Sequence, residues 1–261
     1  MIRLATKLLR KPSRAPLLKT ALMALMALVL VVAAAAARAE PQSSACKKSY
    51  APQTLDNSQP INLGQLKNQL YFYACSGAYD SDLNKALAAA KAYVEVRAGQ
   101  VAKPAVVLDI DETSLSNLPI ELIDDFGFIN GIPCLPTLSG PCGFDSWVAL
   151  AQAKAIDGTR ALFDAAKAKG VAVFFITGRY VNEEEPTVKN LKAAGYDGWA
   201  GLVLRPRGDN KTVIEYKSGE REKIADNGYT IIANVGDQQS DLAGGYAERA
   251  YKLPNPFYYI P

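Results

Sequence analysis

Hydrophobic positions in the chain after residue 100 alternate between short unbroken runs and helical spacing. Four apolar runs, at 105–108, 171–176, 201–204 and 230–235, are typical of buried parallel strands. The spacing between them predicts helices at 159–169, 184–194 and 218–227, each followed by a glycine that ends it. Strands and helices that alternate in this way predict an α/β fold, a doubly wound parallel sheet, with two further helices before it.

The start of the chain has a different pattern. The first 39 residues contain seven basic residues and no acidic residue, and an apolar run covers 21–37. Ala37, Arg38 and Ala39 match the small-x-small rule for cleavage, so 1–39 is predicted to be a signal peptide and 40–261 a single domain. The alternative is an uncleaved membrane anchor. The export signal predicts a periplasmic or secreted protein.

Charge and composition exclude several kinds of function. The whole chain has a net charge of +3, but residues 40–261 contain 22 basic and 26 acidic residues, a net charge of −4. Binding of nucleic acid through its phosphates is therefore not indicated. The chain contains no histidine, which excludes Ser-His-Asp catalysis, an imidazole base and zinc bound by histidine.

All four cysteines lie after residue 39, and an even number in an exported chain predicts two disulfides. Three pairings are possible. Closeness in sequence favours Cys46 with Cys75 and Cys134 with Cys142. A zinc site is the weaker alternative, because the chain has no Cys-x-x-Cys pair and no histidine.

Polar residues with a shared chemistry follow three of the predicted strands. They are Asp109 and Asp111 after the first strand, Thr177, Gly178 and Arg179 after the second, and Asp237 and Asp241 after the fourth, with Lys217 at the N-terminus of a predicted helix. The carboxyl ends of parallel strands form one ligand-binding edge. Acids that hold a divalent cation, together with a lysine and a hydroxyl, would offset the repulsion between a carboxylate and a phosphate. Oxygen ligands favour Mg²⁺.

Each of these residues also has a simpler interpretation. The acids could be ordinary turn and helix-cap residues. Lys211 competes with Lys217 as the lysine of the site. Arg179 could contact phosphate or substrate, or could form a structural ion pair.

Four stretches resemble the ordered motifs of the haloacid dehalogenase (HAD) superfamily. They are Val107-Leu108-Asp109-Ile110-Asp111-Glu112-Thr113, Ile176-Thr177-Gly178-Arg179, Lys217 and Gly236-Asp237-x-x-x-Asp241. The longer stretches 111–119, 216–218, 236–242 and 252–260 resemble the acid phosphatase branch that contains secreted bacterial acid phosphatases and plant vegetative storage proteins. The resemblance covers about 105–261 and implies a HAD-like, Rossmannoid sheet with a small cap insertion at about 118–157.

The resemblance also implies a role for each residue. Asp109 would be the nucleophile that forms an aspartyl-phosphate, and Asp111 would act as general acid and then general base, which needs a raised pKa. Mg²⁺ would be held by the Asp109 carboxylate, the Asp111 main-chain carbonyl and Asp237, with Asp241 behind them or bound through water. Thr177, Gly178, Lys217 and Arg179 would bind the substrate phosphate.

The predicted function is that of a secreted, Mg²⁺-dependent acid phosphatase that hydrolyses small phosphate monoesters such as nucleotides or aryl phosphates. A non-catalytic storage or ligand-binding protein on the same fold is the alternative.

Gln239 stands where the plant relatives have an aromatic residue, a difference that bears on local packing or on the shape of the substrate. Phe126, Phe128, Phe144 and Trp147 would stack on a leaving group or form the core of the cap, and Phe257, Tyr258 and Tyr259 would cover a sheet edge.

Overall fold

The computed structural model describes Cys46 and residues 60–261. The predicted signal peptide at 1–39 lies outside the described residues. Among the helices in the described part of the chain, none is both long enough and apolar enough to cross a membrane.

Seven strands are present in the described residues: β1 (Pro104–Leu108), β2 (Leu115–Ser116), β3 (Lys154–Ala155), β4 (Ala172–Tyr180), β5 (Gly201–Arg205), β6 (Thr230–Gly236) and β7 (Ala250–Lys252). Five of them form a sheet in the order β5-β4-β1-β6-β7, with every neighbouring pair parallel. The two short strands β2 and β3 pair with each other in antiparallel fashion. The predicted doubly wound α/β fold is confirmed, and the four apolar runs are its four longest strands.

Eight α-helices accompany the strands in the described residues: α1 (Leu63–Cys75), α2 (Ala78–Arg97), α3 (Leu118–Ile123), α4 (Phe144–Leu150), α5 (Asp157–Ala168), α6 (Glu184–Ala193), α7 (Val213–Asp226) and α8 (Gln239–Leu242). Short 3-10 turns cover Ala98–Gln100 and Val181–Glu183. The helices α5, α6 and α7 are each followed by a left-handed glycine: Gly170, Gly195 and Gly228 have φ angles of 72°, 87° and 82°. This confirms the glycine stop signals read from the sequence.

The start of helix α7 corrects a prediction. The helix begins at Val213, five residues before the expected start, so Lys217 lies in its second turn and not at its N-terminus. The cause is a capping box: the Glu215 amide donates to the Thr212 hydroxyl at 3.2 Å, and the Thr212 amide donates to Glu215 Oε2 at 2.8 Å. A Thr-x-x-Glu sequence satisfies the free amides of the first helical turn and so fixes where a helix starts.

The central position of β1 brings the motifs together. Its residues 105–108 are at most 2% exposed, and the strand lies between β4 and β6. On one side the chain continues to β4 and then β5, and on the other it returns through β6 to β7. A reversal of strand order beside a central strand leaves a crevice at the carboxyl edge, where ligands bind in such sheets.

The segment 118–157 contains α3, α4 and an extended loop between them. The structure pairs Cys134 with Cys142 inside this loop and Cys46 with Cys75 at the end of α1, as closeness in sequence favoured. No cysteine is left free to bind zinc.

Three of the four aromatic residues of the segment pack into or against the main core, which corrects the expectation of a separate core for the cap, and stacking on a leaving group stays a prediction. Trp147 is 2% exposed and belongs to the main core, and Phe126 stacks on Phe257 with ring centroids 5.5 Å apart. Phe128 is 76% exposed, beside Phe144. A core role therefore describes Trp147 and Phe126, and only Phe128 presents a ring to solvent.

Candidate active site

The chain turns sharply where β1 ends. The Asp109 amide donates to the Val235 carbonyl at 3.0 Å, which continues the pairing of β1 with β6 by one residue. Directly afterwards the amides of Ser114 and Leu115 both donate to the Ile110 carbonyl at 2.8 Å. This tight turn places Asp109 at the carboxyl edge of the sheet, where the residue is 6% exposed.

Three carboxylates meet at this edge. Asp109, Asp237 and Asp241 are all buried, and one oxygen from each lies within 4.8 Å of the others. Lys217 Nζ lies 2.5 Å from Asp109 Oδ1 and 2.5 Å from Asp241 Oδ1. The Lys217 ammonium therefore contacts two of the three buried carboxyl groups, and a further cation could offset the negative charge that is left over.

Local contacts fix the position of Asp241. A Cβ atom on Gly236 would lie only 2.4 Å from Asp241 Cβ, so only glycine leaves space for this side chain. The Gln238 amide donates to Asp241 Oδ2 at 2.8 Å, while the Asn234 side chain donates to the Asp241 carbonyl at 2.9 Å. The acid is therefore held in place through both its side chain and its backbone.

Asp237 is held by donors from three parts of the chain. Thr113 Oγ1 donates to its Oδ1 at 2.9 Å, and Gln238 and Asn255 donate their side-chain amides to its Oδ2 at 2.7 and 2.8 Å. Neither Thr113 nor Asn255 was expected to have a role. Both lie inside stretches that resemble the acid phosphatase branch, but a stretch of sequence does not show which of its side chains reaches another strand end.

Burial and mutual repulsion shift the ionisation of these groups. Burial raises the pKa of Asp109 well above its ordinary value; Lys217 opposes this, and the neighbouring acids Asp241 and Asp237 add to it. Burial likewise raises the pKa of Asp237, with Asp241 as the second cause. Burial alone would lower the pKa of Lys217, but the carboxylates of Asp109 and Asp241 outweigh it and raise that pKa above its ordinary value. Lys217 is therefore a permanent cation.

Asp111 is not one of the three clustered acids and pairs instead with Arg179 and Asn117. Arg179 Nη2 donates to its Oδ1 at 2.7 Å, Arg179 Nε donates to its Oδ2 at 3.1 Å, and the Asn117 side chain donates to its Oδ1 at 2.9 Å. Burial would raise the pKa of Asp111, but Arg179 and Asn117 outweigh it and hold that pKa below its ordinary value. The expectation of a raised pKa for Asp111 is therefore wrong in this structure, because a paired guanidinium stabilises the carboxylate.

The other candidates for phosphate binding lie beside the same edge. Thr177 is fully buried and its hydroxyl accepts from the Arg179 amide at 3.1 Å, whereas Gly178 is exposed. Arg179 also donates to Thr187 through Nη1, so each of its three nitrogens has a protein partner. The structure thus shows the ion pair that was one interpretation of Arg179, and its contact with phosphate stays a prediction. Lys217 reaches the cluster, whereas its competitor Lys211 is exposed.

The end of the chain closes one side of the site. The Ile260 amide donates to Gln238 Oε1 at 3.1 Å, and the Ser240 hydroxyl donates to the Ile260 carbonyl at 3.0 Å. Burial, followed by Asp237 and Glu112, raises the pKa of the Tyr258 phenol well above its ordinary value. The Gln238 side-chain amide also donates to the Tyr258 carbonyl at 3.5 Å, whereas Tyr259 is 76% exposed.

Comparison with known proteins identifies the family of the chain. The sequence model of the HAD superfamily, subfamily IIIB (acid phosphatase), matches residues 33–261. The chain is 34% identical to acid phosphatase 1 of Solanum lycopersicum over 191 residues, which cover 72% of each chain. It is 36% identical to the stem 28 kDa glycoprotein of Glycine max and 33% identical to vegetative storage protein 1 of Arabidopsis thaliana. These matches cover 60% and 59% of this chain and 61% and 55% of the two relatives.

Solved structures show the same fold. A class C acid phosphatase from Bacillus anthracis with tungstate bound superposes with a TM-score of 0.59 over 74% of this chain and 86% of that protein, at 22% identity. A second structure of that phosphatase gives a TM-score of 0.58 at 23% identity, with the same coverage. The match of the family's sequence model to 33–261 covers nearly the whole chain. The chain therefore belongs to the HAD superfamily, subfamily IIIB, the acid phosphatases.

Proposed function

We propose that this chain is a Mg²⁺-dependent acid phosphatase that hydrolyses small phosphate monoesters through an aspartyl-phosphate on Asp109. The observation that carries the proposal is the buried contact between Lys217 and Asp109 at the edge where Asp237 and Asp241 also meet. A carboxylate with a fixed cation beside it can receive a phosphate dianion, which an isolated carboxylate would repel.

The residues fit a magnesium ion. Three carboxylates within 4.8 Å of one another offer only oxygen ligands, and one lysine leaves their negative charge in excess. We assign Asp109, Asp237 and the Asp111 main-chain carbonyl as ligands, with Asp241 behind them or bound through water. When bound, the ion would supply positive charge to the phosphoryl oxygens.

In the first step the Asp109 carboxylate attacks phosphorus and the alcohol leaves. Lys217, already beside Asp109 Oδ1, would bind a phosphoryl oxygen, and so would the Thr177 hydroxyl and the Gly178 amide. Asp111 would give its proton to the leaving oxygen. The approaching phosphate dianion favours the protonated form of Asp111, which opposes the effect of Arg179 on the pKa of that carboxyl.

In the second step a water molecule attacks the phosphorus of the aspartyl-phosphate, the Asp111 carboxylate takes the proton of that water, and the Asp109 carboxylate leaves as inorganic phosphate is released. This step needs the ionised form of Asp111, which the ion pair with Arg179 stabilises. Asn117 and Arg179 hold the carboxylate from two sides, so that it turns little between the two steps. With no histidine in the chain, carboxyl groups do this proton transfer.

The same proposal covers the organisation of the chain. Residues 1–39 would be a cleaved signal peptide, 40–261 a single phosphatase domain, and about 118–157 a small cap. The two disulfides support a periplasmic or secreted location, since such bonds persist in oxidising compartments. No membrane anchor would remain after cleavage.

Phosphate release from the purified full chain tests the proposal. We expect Mg²⁺-dependent hydrolysis of p-nitrophenyl phosphate and of a nucleoside monophosphate, with loss on chelation and recovery when Mg²⁺ is added back. A panel of other phosphate esters would then rank the substrates. If the folded chain releases phosphate from none of these esters with Mg²⁺ present, the proposed phosphatase activity is overturned and the storage or ligand-binding alternative is favoured.

A further inference from the structure

Asn117 connects Asp111 to the interior of the protein. The residue is 1% exposed and uses both ends of its side-chain amide: Nδ2 donates to Asp111 Oδ1 at 2.9 Å, and Oδ1 accepts from Trp147 Nε1 at 2.8 Å. Rotating the amide by half a turn would place its oxygen against a carboxylate and its nitrogen against an indole N–H. Both contacts would then be lost, so Trp147 and Asp111 together determine which way Asn117 faces, and Trp147, which can only donate, requires the amide oxygen on its side.

Trp147 is itself held firmly. It lies on α4, within the segment 118–157, and its side chain is among the largest that are fully buried. An indole N–H only donates, and here it has a single acceptor, the Asn117 amide oxygen. The helix α4 thus reaches the Asp111 carboxylate through two consecutive hydrogen bonds.

A separate contact fixes the backbone of Asn117. Its amide donates to Glu112 Oε1, and Glu112 Oε2 accepts from the Tyr79 hydroxyl at 2.9 Å. Glu112 is fully buried and has a φ angle of 49°, a region that residues other than glycine rarely occupy. Such strain persists only where the surroundings hold it, and here Tyr79 on α2 and the Asn117 amide do so.

We propose that Asn117 and Trp147 are positioning residues for the general acid and base, and that Trp147 aligns the Asp111 carboxyl through the Asn117 amide. The inference rests on the proposed function, since it needs Asp111 to transfer protons. Arg179 holds the charge of Asp111 and contacts both of its oxygens, and Asn117 adds a neutral donor that fixes Oδ1 from a second residue. The carboxyl group is thereby kept at one angle to the leaving oxygen.

Leaving groups of different basicity test this role. An alkyl alcohol needs a proton in order to leave, whereas p-nitrophenolate leaves without one. For Trp147→Phe, which keeps the ring volume but removes the N–H, we expect kcat/KM for an alkyl phosphate to fall about tenfold. This is part of the ~10²–10⁴-fold that a positioned acid supplies. The kcat/KM for p-nitrophenyl phosphate should change less than about threefold, because p-nitrophenolate needs no proton in order to leave. We compare kcat/KM because this ratio reports the step in which the leaving group departs.

Three variants make the comparison specific. Asp111→Asn should lower kcat/KM for the alkyl phosphate more than Trp147→Phe does, again with a smaller effect on p-nitrophenyl phosphate. Asn117→Ala should lower kcat/KM for the alkyl phosphate by an intermediate factor. Trp199→Phe is the matched control, because Trp199 packs on Phe175 of β4 and its replacement should affect both substrates equally. Thermal unfolding of each variant confirms that it is folded.

A spectroscopic measurement tests the hydrogen bond without any turnover. In protein labelled with ¹⁵N-tryptophan, the indole N–H of Trp147 should exchange slowly with solvent, and Asn117→Ala should speed its exchange and shift its resonance. The Trp199 signal should stay in place.

The outcomes separate the two proposals. Equal losses for the alkyl and aryl phosphates in an active Trp147→Phe enzyme, or an indole signal that Asn117→Ala does not change, would overturn the positioning role alone. A parent chain that hydrolyses neither substrate would overturn the proposed function and the positioning role with it.

Discussion

Charged side chains are exposed at the amino edge of the parallel sheet and buried at its carboxyl edge. At the amino edge, a cavity of about 440 Å³ is bordered by Lys103, Lys167 and Tyr229. Lys103 Nζ donates to the Asn227 carbonyl at 3.0 Å, and Lys167 Nζ donates to the Gly198 carbonyl. Both lysines are exposed, and each is satisfied by a nearby backbone group.

The carboxyl edge, in contrast, contains a concentration of buried charge. Asp109, Asp237, Asp241 and Lys217 are each at most 6% exposed, and the three acids repel one another. Burying like charges costs free energy of folding, so a protein that gained nothing from them would lose them. Concentrated buried charge, and not the size of a cavity, therefore distinguishes the carboxyl edge, where the active site is proposed.

The largest effect expected is on activity at the carboxyl edge. Asp109→Asn should lower phosphate release by at least ~10⁴-fold, since it removes the nucleophile while leaving a side chain of the same shape. Its thermal unfolding midpoint without metal should be equal to or above that of the parent, because one of three crowded carboxyl groups no longer ionises. Kinetics and calorimetry measure both. A variant as active as the parent would remove Asp109 from the mechanism.

Next in size is the effect of removing Lys217, the cation that contacts the carboxylates of both Asp109 and Asp241. Lys217→Met should lower the free energy of unfolding by about 3–5 kcal/mol without metal, because it leaves buried carboxylates without their partner. Added Mg²⁺ should restore part of the loss. Chemical denaturation with and without the ion measures both values. A loss below about 1 kcal/mol would mean that the acids are not charged in the folded protein.

A smaller effect should follow from crowding Asp241. Gly236→Ala places a Cβ atom 2.4 Å from Asp241 Cβ, so one of the two residues must move. We expect the free energy of unfolding to fall by about 1–3 kcal/mol, as in other overpacked sites, and Mg²⁺ to bind more weakly. Titration of the ion by calorimetry measures its affinity. An unchanged affinity would show that the position of Asp241 is not important for the metal.

The smallest effect is expected at the amino edge. Lys103→Met removes one exposed hydrogen bond to a backbone carbonyl and should lower the free energy of unfolding by no more than about 1 kcal/mol, with no change in kcat/KM. It is the matched control for Lys217→Met. A marked loss of activity in Lys103→Met would show that the cavity at this edge takes part in function.

Local patterns account for what the sequence predicts. The apolar runs, the glycines after α5, α6 and α7, and the disulfide pairing all depend on neighbours along the chain. The early start of α7 was missed although Thr212 and Glu215 carry a known capping signal. The strand β7 has only three residues, none of them buried, so no hydrophobic run marks it.

The contacts within the site depend on distance in space. Arg179 and Asp111 lie 68 residues apart, and Trp147 and Asn117 lie 30 apart. The motifs indicate which residues gather at the carboxyl edge, but only the folded chain shows that Asp111 faces Arg179. That contact is why its pKa is lowered where a raised value was expected.

The central claim is that the Asp109 carboxylate, and not water, attacks the phosphorus of the substrate. It is tested most directly by hydrolysis, in water enriched in ¹⁷O, of a phosphorothioate monoester whose phosphorus is made chiral by sulfur, ¹⁶O and ¹⁸O. Two successive in-line displacements, first by Asp109 and then by water, predict retention of configuration in the chiral inorganic thiophosphate. Inversion would show a single displacement by water and would contradict the account.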